Sequence, residues 1–159
     1  MKRAMTSLAL LSALGASLVA GVFFAFSTFI MAGLARLPAP QGIAAMQSIN
    51  ITVINPVFMS VFLGTALLSA AVIVTALMNW SDPRSLKLLA GALLYIVGAI
   101  GVTLIFNVPL NDGLATAVPD SPDSEILWAR YITVWTGWNH VPGVAALAAA
   151  ALFIWGWIS

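Results

Sequence analysis

Cysteine is absent from this chain, charged side chains make up only 7% of it, and His140 is its one histidine. The first absence removes disulfides, thiolate nucleophiles and soft metal sites together. The second excludes water as the main solvent, because a soluble domain carries about a quarter charged residues. A net charge of +1 gives no basis for a nucleic-acid partner. One histidine without cysteine cannot assemble a zinc site of the usual kind, and its neighbours lack ligand spacing. No glycine-rich phosphate loop follows a strand, so nucleotide binding has no footing. A haem on a single axial histidine stays open by composition, with no feature in its favour.

What the chain does have is apolar length. Hydrophobic residues make up 62% of it, and the mean hydropathy is +1.05. Uncharged stretches run from Ala4 to Ala35, Leu37 to Ser81, Leu88 to Leu110 and Tyr131 to Ser159, each longer than the roughly 20 residues that span hydrocarbon. Gln41, Gln47, Asn50 and Asn55 interrupt the second early on, so only about Pro56 to Met78 of it belongs in lipid. The reading is an all-α membrane four-helix bundle, one domain over residues 1–159, with no soluble module appended. Met1 to Ala20 has a basic start and an apolar run, as a signal peptide does. The run continues to Leu34, past the roughly 7 to 15 residues of a cleaved signal, and is read as a retained first helix. Lys2, Arg3, Arg84 and Lys87 outnumber Arg36 and Arg130 on the opposite side; by the positive-inside rule both termini are expected in the cytoplasm, in a multi-pass protein of the cell membrane.

Several boundaries carry chemistry. Asn55-Pro56 reads either as an N-cap with proline at the first helical position or as a kink in one long helix. Trp80-Ser81-Asp82-Pro83 predicts a tight turn that makes the second and third helices antiparallel neighbours. Ala13, Ser17, Gly21 and Ala25 recur every fourth residue, and Gly91, Gly98 and Gly101 form a similar set; both are expected as packing seams inside the bundle. The fourth helix, Glu125 to Trp157, is about 50 Å long at 1.5 Å per residue. Its first three turns must therefore project beyond the hydrocarbon, and Pro142 is expected to kink it. Trp128, Tyr131, Trp135 and Asn139 fall at helical spacing on one stripe, with Trp138 and His140 beside its lower end.

The uncharged polar side chains gather at the outer end of this topology: Gln47, Asn50 and Asn55, then Asn107 and Asn111 after the third helix, then Asn139 and His140. Together they suggest a cup walled by Trp128, Tyr131 and Trp135 and floored by amides and one imidazole, the mixture a small-molecule pocket uses. Plainer readings stand beside it. Tryptophan and tyrosine gather at bilayer interfaces for amphipathic reasons alone, asparagines near helix ends cap or form turns, and a histidine near the interface can be hydrated. An ionisable group within a span is nonetheless a functional candidate, and imidazole is the side chain whose ordinary pKa, about 6.5, lies near working pH. Transport would need internal repeats and broken helices at the midplane, and the sequence offers no polar path towards the cytoplasmic half.

At these residues the chain resembles the anthrone oxygenase family of small four-span membrane proteins. The resemblance is carried by Gly21-Val-Phe-Phe-Ala-Phe-Ser27 with Met31, Met46-Gln-Ser-Ile-Asn50, Asn55-Pro-Val-Phe58, Phe106-Asn-Val-Pro-Leu-Asn111 and Trp135-Thr-Gly-Trp-Asn-His140, in that order. Relatives often carry a basic residue two positions after the histidine; Val141-Pro142-Gly143 stands here instead. The resemblance implies insertion of oxygen into a flat aromatic C–H acid, an anthrone giving an anthraquinone, without metal, flavin or other cofactor. For that chemistry the expected roles in this chain are His140 as base, Asn107 and Asn139 as donors to the developing oxyanion, Asn55 or Asn111 orienting the pocket, and Trp128, Tyr131 and Trp135 stacking on the rings. The expected partners are the lipid bilayer, a hydrophobic anthrone- or quinol-like molecule and dioxygen, with homo-oligomerisation left open. The alternative is a non-catalytic membrane protein that binds a hydrophobic ligand or serves as a small subunit of a complex.

Overall fold

A computed structural model of the chain describes residues 2–159, and these form helices with no strand among them. Four helices are long and apolar enough to cross a membrane: α1 (Ala4–Leu34), α3 (Pro56–Met78), α4 (Ser85–Ala115) and α5 (Ser124–Ile158). A fifth, α2 (Ala39–Thr52), lies between the first two spans.

Helix ends follow local chemistry. Asn55 adopts an extended conformation and its Oδ1 accepts from the amides of Val57 at 3.1 Å and Phe58 at 3.0 Å, with Pro56 in the first turn. This satisfies two otherwise orphaned donors. Because α2 stops at Thr52, the N-cap reading of Asn55-Pro56 holds over the single kinked helix. The expected tight turn after α3 is built on Arg84, which donates to both carboxylate oxygens of Asp82 at 2.9 and 2.8 Å. Hydrogen bonding to Asp82 holds the guanidinium above its ordinary pKa. Arg84 also reaches Thr6 at 3.2 Å, and Lys87 donates to Ser159 at 2.9 Å. The turn, the start of α1 and the C-terminal residue therefore meet at one end of the bundle, called here the terminal end.

One span departs from expectation. α4 does not stop at Leu110: it continues as helix through Asn107 and Asn111 to Ala115, so neither asparagine sits in a turn. Leu94–Gly101 and Thr103–Asn107 adopt π-helical register, a wider winding that ordinarily appears as single turns at functional sites. Pro109 falls just where that register gives way to α-helix, a place where a missing N–H costs least. α5 runs unbroken for 35 residues and keeps Pro142 inside the helix.

The core is built on small residues. Ala9, Ala13, Ala16 and Ala20 of α1 lie in the same buried cluster as Ala146, Ala149 and Ala150 of α5, letting these two helices approach closely. Of the ridge Ala13, Ser17, Gly21 and Ala25, only Ala13 is buried. Ser17 and Gly21 instead open a groove, because neighbouring positions one residue away carry the seam. Gly91 and Gly98 do form the expected seam against α5, whereas Gly101 meets only its own helix. The Tyr95 hydroxyl donates to the Phe62 carbonyl at 3.0 Å and ties α4 to α3.

A Cβ added at Gly98 would lie 2.6 Å from Ala145 Cβ, an atom fixed to its backbone. Gly98→Ala is expected to lower stability by about 1–3 kcal/mol through overpacking, read as a lower thermal midpoint of the detergent-solubilised protein; an unchanged midpoint would refute the close α4–α5 approach.

Candidate functional site

The aromatic stripe of α5 is real and buried. Trp128, Tyr131, Trp135 and Asn139 are 4, 5, 6 and 1% exposed. Trp128 stacks on Tyr131 at 5.7 Å between ring centroids, and Tyr131 on Trp135 at 6.2 Å. The stripe is not an empty cup. Ile43 and Met46 of α2, Met31 of α1 and Leu114 of α4 fill it, and α2 comes so close that a Cβ on Gly42 would lie 2.6 Å from the Trp128 indole. Helix α2 is held there by Gln47, whose Nε2 donates to the Leu114 and Ala117 carbonyls at 2.8 and 3.0 Å and so satisfies acceptors at the end of α4.

The amides divide into distinct tasks. Asn111 Oδ1 accepts from both the Tyr131 hydroxyl at 2.8 Å and the Trp135 indole at 2.7 Å, fastening α4 to the stripe. Asn55 caps α3 with Oδ1 and donates through Nδ2 to Thr52, so its polar atoms are committed to the helix end. Asn107 is buried and donates to the Trp135 carbonyl at 3.2 Å. Asn139 donates to the Phe23 carbonyl at 2.9 Å and to Ser27 Oγ at 2.7 Å, bridging α5 to α1. Asn107 Oδ1, Asn139 Oδ1 and Thr136 Oγ1, all within about one turn of α5, have no protein partner among the described residues.

His140 lies elsewhere. It is exposed on the flank of α5 and lines a groove of about 420 Å³ between α5 and α1. Ser17, Gly21, Phe24, Ser27 and Thr28 form the α1 wall, and His140, Gly143, Val144 and Leu147 the α5 wall. That volume falls within the roughly 300–1,000 Å³ typical of ligand pockets, and its walls mix apolar surface with three hydroxyls and one imidazole. Neither Asn107 nor the stripe aromatics line it. Trp138, on the other side of α5, stacks face to face on Phe106 at 3.7 Å. A larger groove of about 580 Å³ runs between α1 and α3 past Leu11, Gly15 and Leu68. It has no titratable side chain, so the smaller groove is the better chemical candidate.

The α1 wall follows from a local change of winding. Phe26–Ile30 is π-helical, and the carbonyls of the preceding turn take side-chain donors: Phe23 from Asn139, and Phe24 from Thr28 at 2.7 Å. Side-chain insertion of this kind accompanies such bulges. Reading the sequence for asparagine, aromatics and histidine passed over Ser27 and Thr28 as site residues. The visible signals were the two adjacent hydroxyls within an otherwise apolar run of a span and the place of Ser27 at the end of the Gly21–Ser27 segment that carries the family resemblance. Among the described residues no cluster of three histidine, aspartate or glutamate side chains stands ready to hold a metal ion.

Fold and site together define a multi-pass, all-helical membrane protein with an open groove between α1 and α5 that is lined by its single imidazole. The sequence model of one family, described as anthrone oxygenase, matches residues 58–152, more than half of the chain and all of it from early α3 to late α5. The chain belongs to the anthrone oxygenase family. No curated protein and no solved structure matches it.

Asn111→Ala leaves a buried hydroxyl and a buried indole N–H unpaired, each costing about 1–3 kcal/mol. A thermal midpoint well below that of the parent is expected in detergent; a midpoint equal to the parent's would mean that the stripe is open to solvent and not packed.

Proposed function

We propose that this protein is a membrane oxygenase that takes a flat, hydrophobic, anthrone- or quinol-like molecule from the bilayer into the α1–α5 groove. The observation that supports this reading is that His140 is open to this groove, where a scaffold histidine would be buried behind the aromatics of α5 or turned toward headgroups. Membership of the anthrone oxygenase family supports the reaction class. The scheme balances with dioxygen as oxidant. His140 removes one proton from the methylene flanked by aromatic rings. The carbanion adds dioxygen to give a peroxide, and loss of the second C–H with cleavage of the O–O bond yields the carbonyl and water. No metal or flavin is needed in this scheme, because the resonance-stabilised anion is electron-rich enough to meet dioxygen directly.

Of the remaining residues expected at the site, Asn139 reaches the groove through Ser27, while Asn107, Asn111, Trp128, Tyr131 and Trp135 brace the wall of α5 from behind. Placement of Arg84 and Lys87 at the terminal end, and of Arg36 and Arg130 towards the other, supports a cytoplasmic terminal end. A second reading, a non-catalytic binder of hydrophobic molecules, is favoured by the packing of Trp128, Tyr131 and Trp135, which leaves those rings no free face for a substrate.

The two separate in one assay. Purified protein in detergent is given anthrone-like and quinol-like compounds with and without oxygen, against a protein-free control. The oxygenase reading expects oxygen-dependent turnover to the quinone above the control, falling at least about 10²-fold in His140→Ala. Equal rates for the variant and the parent would remove the imidazole from the chemistry, and no turnover by either would favour the binder.

A further inference from the structure

The hydrogen bonds around Asn139 determine the direction of a neighbouring hydroxyl. The Phe23 carbonyl can only accept, so the Asn139 atom 2.9 Å away is its amide nitrogen. The same nitrogen lies 2.7 Å from Ser27 Oγ, and its second hydrogen goes there. Ser27 is therefore the acceptor in that bond, and its own hydrogen must point elsewhere. A serine within a helix ordinarily turns that hydrogen back to the carbonyl four residues earlier, as Thr28 does towards Phe24 at 2.7 Å. For Ser27 that carbonyl is Phe23, which receives Asn139; its second lone pair could take the hydroxyl as well, but among the described residues the only hydrogen bond of Ser27 Oγ is the one it accepts from Asn139. Ser27 shares the wall of the groove with His140.

We propose that Ser27 is the hydrogen-bond donor that meets the carbonyl or phenolate oxygen of a ligand in the α1–α5 groove, and that Asn139 is its positioning residue. When a C–H proton leaves to His140, negative charge develops on the conjugated ligand oxygen, where a fixed donor in a low-dielectric site has its largest effect. The bond accepted from Asn139 polarises the hydroxyl and strengthens it as a donor. Ligands selected this way carry a hydrogen-bond-accepting oxygen on a flat apolar ring system; pure hydrocarbons of the same shape are not. The rate argument rests on the oxygenase reading, whereas the ligand contact does not.

The test uses the full chain in detergent micelles, with 9,10-anthraquinone as the carbonyl compound and infrared difference spectroscopy as the readout. Wild type should show a carbonyl band at lower frequency than protein-free micelles, retained in His140→Ala and Ser27→Thr and lost in Ser27→Ala. A lowered band that persists in Ser27→Ala, or no lowered band in wild type, overturns the proposal. In anthrone turnover, Ser27→Ala should reduce kcat by about 10²–10³-fold with KM little changed, and Ser27→Thr should recover most of it. Asn139→Ala should reduce kcat in wild type yet cause no further loss on the Ser27→Ala background. An undiminished second loss overturns the positioning role, because a merely structural asparagine would act regardless of Ser27. A wild type that lowers the carbonyl band through Ser27 but oxidises no anthrone contradicts the oxygenase reading alone and upholds Ser27 as the ligand donor.

Discussion

The carboxamide of Asn139 is the interaction on which the rest of this structure depends. Within hydrocarbon there is no water to satisfy a polar side chain or a backbone group that leaves its helical partner, so both must find partners in the protein. Asn139 satisfies this constraint by donating to α1 at Phe23 and Ser27, close to where α1 widens into π-helical register. The clasp fixes α5 against α1 in rotation and height. Below it the alanine faces of the two helices close into a dry seam, Gly143 lets α5 approach Phe23, where a Cβ would lie 3.2 Å from the Phe23 Cβ, and on one flank Ser17 and Gly21 are too small to fill the remaining space. The groove is thus a consequence of the clasp: two helices pinned by an amide and separated by missing side chains.

The other amides extend the same logic along the bundle. Asn111 gathers a phenol and an indole, Asn107 takes a carbonyl of α5, and Gln47 takes two carbonyls at the end of α4. Polar groups that look like a ligand-binding floor are in large part what a membrane protein needs to hold α2, α4 and α5 together. The imidazole of His140, pointing out of this network, is the exception and for that reason the chemically informative one.

Much of the fold was legible from hydropathy, because bilayer thickness sets helix length and few charges interrupt the spans. The Asn55-Pro56 cap and the Trp128 to Asn139 stripe were legible too, since capping and helical periodicity are local. What failed to show were features decided by tertiary partners. Asn107-Val-Pro-Leu-Asn111 has the composition of a turn yet continues α4, because its amides are satisfied by α5 and the π register accommodates Pro109. The four-residue ridge Ala13, Ser17, Gly21, Ala25 looked like a seam, but helix rotation set by Asn139 turns its middle towards lipid. At the candidate site, the histidine was visible as a lone ionisable group, whereas Ser27 becomes meaningful only once the donor of its hydrogen bond is known. Ser27 also precedes the 58–152 segment that the family match covers, so that match alone does not point to it.

The account's central claim is the location of the site in the open α1–α5 groove and not among the aromatics of α5. Photocrosslinking tests it most directly: wild-type protein in lipid vesicles is irradiated with 9,10-anthraquinone, whose excited carbonyl abstracts hydrogen from nearby C–H bonds, and the adducts are mapped by peptide mass spectrometry. The account predicts adducts concentrated on residues 17–28 and 140–147, reduced by competing anthrone. Adducts concentrated on residues 128–135, or spread evenly over every lipid-facing helix, would contradict it.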